Sequence, residues 1–160
     1  MIEIYFLIKN DQVEALAQEI ENHATPDIIL DAENNPKIPK ILHNFPPIIS
    51  VSAFLGSPKC FSFLVNHGAN ISITDKSNEN LLPIDFAVAG KNISYFRVLC
   101  SKGSPTTALL HNTIRFAVVP ILNEILEKKL VDLNEEVNGM TPVEYAISIN
   151  KIYSAKKLLG

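Results

Sequence analysis

The 160-residue chain is predicted to be all-α, a solenoid of stacked antiparallel helix pairs. Three observations carry that expectation. Apolar residues recur in short runs at the 3.6-residue spacing of one helix face. Glycine and proline interrupt those runs at matching places. The plan of run, break and run returns at intervals of 33 to 35 residues, and a unit of that size is too small to bury its own apolar face without a neighbour.

The first pair is read at Ile2 to Ile8 and Val13 to Ile20, with a break at Lys9-Asn10-Asp11. Val13, Leu16, Ala17 and Ile20 share one helical face, and Asn10 or Asp11 is placed to accept amide hydrogen bonds where the second helix starts. From Ala24 to Pro47 five prolines discourage a continuous helix, leaving only short helical turns expected at Asp27 to Ala32 and Ile38 to His43. The clear repetition begins at Ile48. One run, Ile48 to Leu55, stops at Gly56, and a second opened by Pro58 ends at His67-Gly68-Ala69-Asn70. The plan recurs as Pro83 to Ala89 and Ile93 to Cys100, then as Leu109 to Val118 and Pro120 to Lys128. A last copy starts at Asn138-Gly139-Met140-Thr141-Pro142.

Spacing makes the repetition concrete. Ile48 to Gly68 and Pro83 to Gly103 are each 20 residues, Gly68 to Gly103 is 35, and Leu109 to Pro142 is 33. The recurring residues have matching physical roles. Gly68 and Gly103 suit a left-handed stop to a second helix. Pro83 and Pro142 suit a first helical turn, where a missing amide costs little, and Thr141 is placed to cap. Ala53, Ala87 and Ala146 leave room for close helix approach, while Phe61, Leu64, Phe96, Leu99, Ile125 and Leu126 supply the larger apolar side chains.

These residues resemble the ankyrin repeat. The run from Asn138 to Ala146 is similar to the family's Gly-x-Thr-Pro-Leu-His-x-Ala opening, with Glu144 in place of the histidine, as Asp85 is in Pro83-Ile84-Asp85-Phe86-Ala87. His111 is read as keeping the histidine. Helix exits match at Leu64 to Asn70 and, more loosely, at Leu130 to Asn134, where Leu130 stands at the expected exit glycine. The Gly103 to Leu109 connection is too short for an extended hairpin. The resulting division is one ankyrin-repeat domain, 1–160: an N-terminal capping helix pair (1–22), an irregular or degenerate repeat (23–47), repeats at 48–78, 79–107 and 108–137, and a partial or C-terminal capping repeat (138–160).

Composition narrows the function. With 14 basic and 17 acidic residues and a net charge of -3, the chain lacks the basic footprint of a nucleic-acid binder. No apolar run approaches a membrane span, and Glu3 with no small-residue cleavage site makes the start a poor secretory signal. Cys60 and Cys100 read as small buried thiols in a reducing compartment, so an intracellular, cytoplasmic setting is expected. His23, His43 and His67 lack metal-ligand spacing, no phosphate-cradling glycine loop occurs, and Asp85, Glu124, Glu127 and Glu144 are explained by caps and solvent faces. No catalytic residue, metal or cofactor is expected.

The resemblance implies an L-shaped repeat whose hairpin tips and first helices line a concave binding surface. Tip candidates are Asp75, Lys76, Asn78, Glu79 and Asn80, then Glu135, Glu136, Asn138 and Met140. First-helix candidates are Val51, Phe54, Phe86, Ala89, Arg115, Phe116, Tyr145 and Ser148. Asn78, Asn80, Phe86, Arg115, Phe116, Asn138, Tyr145 and Ser148 lead, since aromatic and arginine anchors often dominate interfaces. Phe54 and Phe86 compete with a core role, and Asp75 to Asn80 with an ordinary solvated turn. The expected function is a scaffold for an unidentified protein partner. The alternative is a structural or spacer segment of a longer chain with further repeats, and a small-molecule enzyme is disfavoured.

Overall fold

The computed structural model describes residues 2–103 and 105–160 and is all-helical in its regular structure. Among the described residues ten α-helices follow one another: α1 (Ile2–Lys9), α2 (Val13–His23), α3 (Ile48–Leu55), α4 (Pro58–Asn66), α5 (Pro83–Ala89), α6 (Ile93–Lys102), α7 (Thr107–Phe116), α8 (Val119–Glu127), α9 (Pro142–Ser148) and α10 (Ile152–Leu159). They fall into two compact units, Met1–Asn92 and Ile93–Gly160. In the first, α1 packs on α2 and α3, α2 on α4, and α3 on α4 and α5. In the second, α7 packs on α8 and α9, and α10 packs on both α8 and α9. Within each unit, then, first helices meet first helices and second helices meet second helices.

Five helix-to-helix turns each hold one residue in the left-handed region: Asp11 (φ 54°), Gly56 (75°), Lys91 (61°), Ala117 (57°) and Asn150 (60°). Each lies two residues before the first residue of its second helix. This position sets a common register. Four residues back stand Ser52, Ala87, Thr113 and Ala146, all at 0% exposure, so small side chains let helices approach there, while the first pair has half-buried Leu7 at that position. The buried hydroxyls of Ser52 and Thr113 are satisfied within their own helices, by the Ile49 carbonyl at 2.8 Å and the Leu109 carbonyl at 2.8 Å.

Turn residues also close the ends of helices in neighbouring pairs. Asp11 was expected to cap α2, but it does not: its carboxylate accepts from the amides of Lys59 (3.2 Å) and Cys60 (2.9 Å), at the start of α4. Ser57, just before α4, donates through its hydroxyl to the Ile8 carbonyl at 2.6 Å. Asn92 works in the opposite direction, donating to the Ala53 carbonyl (2.7 Å) and the Phe54 carbonyl (3.3 Å) at the end of α3. Gly90 is required there for space rather than for φ: a Cβ on it would lie 2.3 Å from the Phe54 carbonyl oxygen.

Three expectations change. Residues 27–32 are extended, not helical, because Ile29 pairs with Pro47 and the Ile28 carbonyl accepts from Ile48 at 2.9 Å. A short 3-10 turn does form at Lys40–His43. The stretch is part of the first unit's core, since Ile28, Leu30, Ala32, Ile38 and Leu42 are buried. Second, the exit of α8 falls one residue earlier than read. Lys129 (φ 51°), not Leu130, occupies the left-handed position held by Gly68 (φ 77°) at the exit of α4. The hydrogen bonds agree: Ala69 to the Leu64 carbonyl at 3.0 Å, Leu130 to the Ile125 carbonyl at 3.1 Å. Third, α7 begins ten residues before its turn residue, whereas α3, α5 and α9 begin eight before theirs, with Thr106 as its cap. The connection ahead of α7 includes Ser104, which lies outside the described residues.

Lys129→Gly should therefore stabilise the chain by about 0.5–1 kcal/mol, because glycine relieves left-handed strain at an exposed site. Gly68→Ala, with open space around the added Cβ, should cost about 1 kcal/mol through φ alone. Urea midpoints read both. Asp11→Ala should cost about 1 kcal/mol as a lost cap, with faster amide exchange at Lys59 and Cys60, while Asp11→Asn, which keeps an acceptor, should cost less.

Candidate protein-interaction surface

Exposed candidates occur in both units, Asn78 and Asn80 in the first, Asn138 and Ser148 in the second. Val137 and Met140 exchange backbone hydrogen bonds at 2.8 and 3.2 Å around Asn138 (φ 53°) and Gly139 (φ 81°). Both central residues are left-handed, the geometry of a two-residue hairpin for which Asn-Gly is the favoured pair. The hairpin runs into Thr141, whose hydroxyl accepts from the Glu144 amide at 3.3 Å while the Glu144 carboxylate accepts from the Thr141 amide at 2.9 Å. This reciprocal cap starts α9, and the Thr141 amide holds the Glu144 carboxyl below its ordinary pKa. Asn138 and Met140 are exposed at the tip.

Along the first helices, register decides what a partner could reach. Two residues before the turn residue stand Phe54, Ala89 and Arg115, half-buried, and Ser148, exposed. Five before it stand Val51 and Phe86, both at 0% exposure, then Asn112 and Tyr145, half-buried. Phe86 is thus enclosed in the first unit's core and presents no surface. Arg115 lies over the Phe116 ring, 4.5 Å from its centroid, and its guanidinium donates to the Asn112 side-chain oxygen at 3.3 Å. Ser148 donates to the Tyr145 carbonyl at 2.7 Å. Asn112 escaped the sequence reading, since its membership of the Tyr145 row emerges only by counting back from the turn.

His111 shares a register position with Asp85 and Glu144, six before the turn residue. Asp85 uses that position to accept from the Leu82 amide at 2.8 Å, as Glu144 does from Thr141. His111 has no such amide to serve, because α7 has already started at Thr107. Instead its ring is buried and stacks on Tyr145, centroids 4.6 Å apart and planes at 20°. Its Nε2 has no hydrogen-bond partner, and burial pushes its pKa down.

In the first unit the tip at Asp75 to Asn80 divides. Asn78 and Asn80 are exposed, but Asp75 is 2% exposed. Its Oδ1 accepts from the Ser77 hydroxyl (2.7 Å), the Ser77 amide (3.2 Å) and the Leu81 amide (2.9 Å), so it organises the turn from inside. Lys76 donates its amide to the Asn44 carbonyl at 2.8 Å, and its ammonium sits 5.6 Å from the ring centroid of exposed Phe45.

Burial pushes the Cys60 thiol up to about 12 and the Cys100 thiol up to about 11, away from thiolate reactivity. Glu124 is held below its ordinary pKa first by hydrogen bonding from Arg97, at 2.8 Å, with Lys128 3.4 Å away. Among the described residues no group of three His, Cys, Asp or Glu side chains could hold a metal ion, and no helix is long and apolar enough to cross a membrane. The fold class is thus all-helical, built of packed helices compatible with a helical repeat. No model of a known protein family matches the chain, and no curated protein matches it significantly.

His111 generates a pH prediction. Its folded pKa lies below the unfolded value of about 6.5, so the unfolded chain takes up the proton first and stability falls as pH drops below that value. His111→Phe, which keeps a ring against Tyr145, should flatten the decline in unfolding midpoint between neutral and mildly acidic pH. A decline equal to that of the unmodified chain would remove His111 as its source.

Proposed function

We propose that the chain is an ankyrin-type repeat protein whose function is to bind another protein through its hairpin tips and first helices. The observation that carries the reading is the run from Val137 to Ser148. There an Asn-Gly hairpin leads straight into a Thr-Pro-capped first helix, with Asn138, Met140 and Ser148 turned to solvent. Such a tip offers adaptable hydrogen-bonding groups on a rigid support, and the half-buried Arg115, Phe116 and Tyr145 of the same unit add larger anchors. The constant turn register supports a repeat, and the raised thiols together with the capping and ion-pair roles of Asp85, Glu124 and Glu144 favour binding over chemistry. The spacer alternative draws on the apolar side chains of Ile147 and Leu159, 57% and 73% exposed.

The test is affinity capture from the native cell followed by mass spectrometry, comparing the unmodified chain with Asn138→Ala/Met140→Ala and Arg115→Ala/Tyr145→Ala variants. A discrete set of captured proteins should be lost from at least one variant while helical content stays unchanged. Captured sets identical for all three chains would reject this surface.

A further inference from the structure

Eleven residues before the turn residue stand Phe45 (φ 55°), Asn80 (φ 51°) and Gly139 (φ 81°), all three left-handed. The same position ahead of α7 is Thr106, which caps that helix in an extended conformation instead. Glycine and asparagine suit a left-handed turn, and a bulky aromatic residue suits it badly. The backbone around Phe45 is nevertheless tied on both sides. The Asn44 carbonyl accepts from the Lys76 amide at 2.8 Å, and the Pro46 carbonyl accepts from the Leu30 amide at 2.9 Å. Backbone strain that the surroundings hold in place clusters at functional positions. Packing alone would account for the ring if burial offset the strain, but Phe45 stays 40% exposed.

The strained turn holds an aromatic face toward solvent with a cation beside it. Lys76, itself exposed, sets its ammonium 5.6 Å from the Phe45 ring centroid. The hydrogen bond from the Lys76 amide to Asn44 fixes the two residues next to each other. Asp75 faces into its own turn and Glu79 is already engaged, which leaves the Lys76 ammonium as the charge presented beside the ring. Asn78 and Asn80, exposed on the same tip as Lys76, add side-chain amides that both donate and accept.

We infer that Phe45 and Lys76 together anchor, on the first unit, a peptide segment of a partner protein in which an acidic residue stands beside an apolar one. The apolar side chain meets the Phe45 ring and the carboxylate meets the Lys76 ammonium. This rests on the protein-binding reading above and gives it a chemistry. Random peptides displayed on phage and selected on the full chain test it. Enriched peptides should share an acidic residue next to an apolar one, and one of them, synthesised, is titrated by calorimetry. Phe45→Asn, the residue type already left-handed at Asn80, should weaken binding about tenfold or more without lowering the urea midpoint. Lys76→Glu should weaken it comparably, while Lys76→Arg should retain most of it. A lowered midpoint for Phe45→Asn makes the ring a packing residue and overturns the inference. Selection of no peptide, enrichment without an acidic residue, or binding indifferent to both Phe45→Asn and Lys76→Glu overturns it too. Peptides lost only from Asn138→Ala/Met140→Ala would sink the inference and leave the protein-binding reading standing.

Discussion

Each helix pair depends on one backbone constraint, a single residue held in the left-handed region two positions before its second helix. Four of the five residues so placed, Asp11, Lys91, Ala117 and Asn150, are not glycine. A side chain in that conformation costs roughly 1–2 kcal/mol, so the turns are individually unfavourable. What offsets them is register. Moving the reversal by one residue would rotate the following helix by about 100° and carry its apolar row away from the neighbouring helices. Ile8, Ala53, Val88 and Ile114 are enclosed because the turn falls where it does.

Much of this was legible in the sequence wherever a residue type carries its own geometry. Pro58, Pro83 and Pro142 mark first helical turns, Gly56 and Gly68 mark left-handed ends, and Thr141 marks a cap. Legibility failed where conformation is imposed from a distance. Residues 27–32 are extended because they meet residues 46–48, and no local pattern announces such a pairing. Asp11 serves amides 48 and 49 positions away. The left-handed Lys129 carries no compositional sign of its role, so the exit was read one residue late.

The candidate surface divides along the same line. Asn138 and Ser148 are exposed, as a hairpin tip and a helix end are almost by construction. Phe86 and Tyr145 occupy one register position, yet the first is enclosed and the second half-open, a difference set by what packs around each. The register position shared by Asp85, His111 and Glu144 is used in two physically coherent ways. Asp85 and Glu144 return their carboxylates to the amide of the capping residue, whereas His111, displaced from that task by an earlier helix start, becomes an aromatic filler against Tyr145.

The opposed directions of Asp11 and Asn92 bear on how the chain is made. Asp11 is synthesised before the helix it closes, so α4 meets a waiting acceptor as soon as Lys59 and Cys60 appear. Asn92 comes after the helix it closes, so the carbonyls of Ala53 and Phe54 wait for a later segment. During synthesis from the N-terminus, then, the first unit can assemble in steps from finished pieces, but its third helix stays open-ended until residue 92 arrives. The carbonyls at the end of that helix are thus met by the residue at which the unit ends.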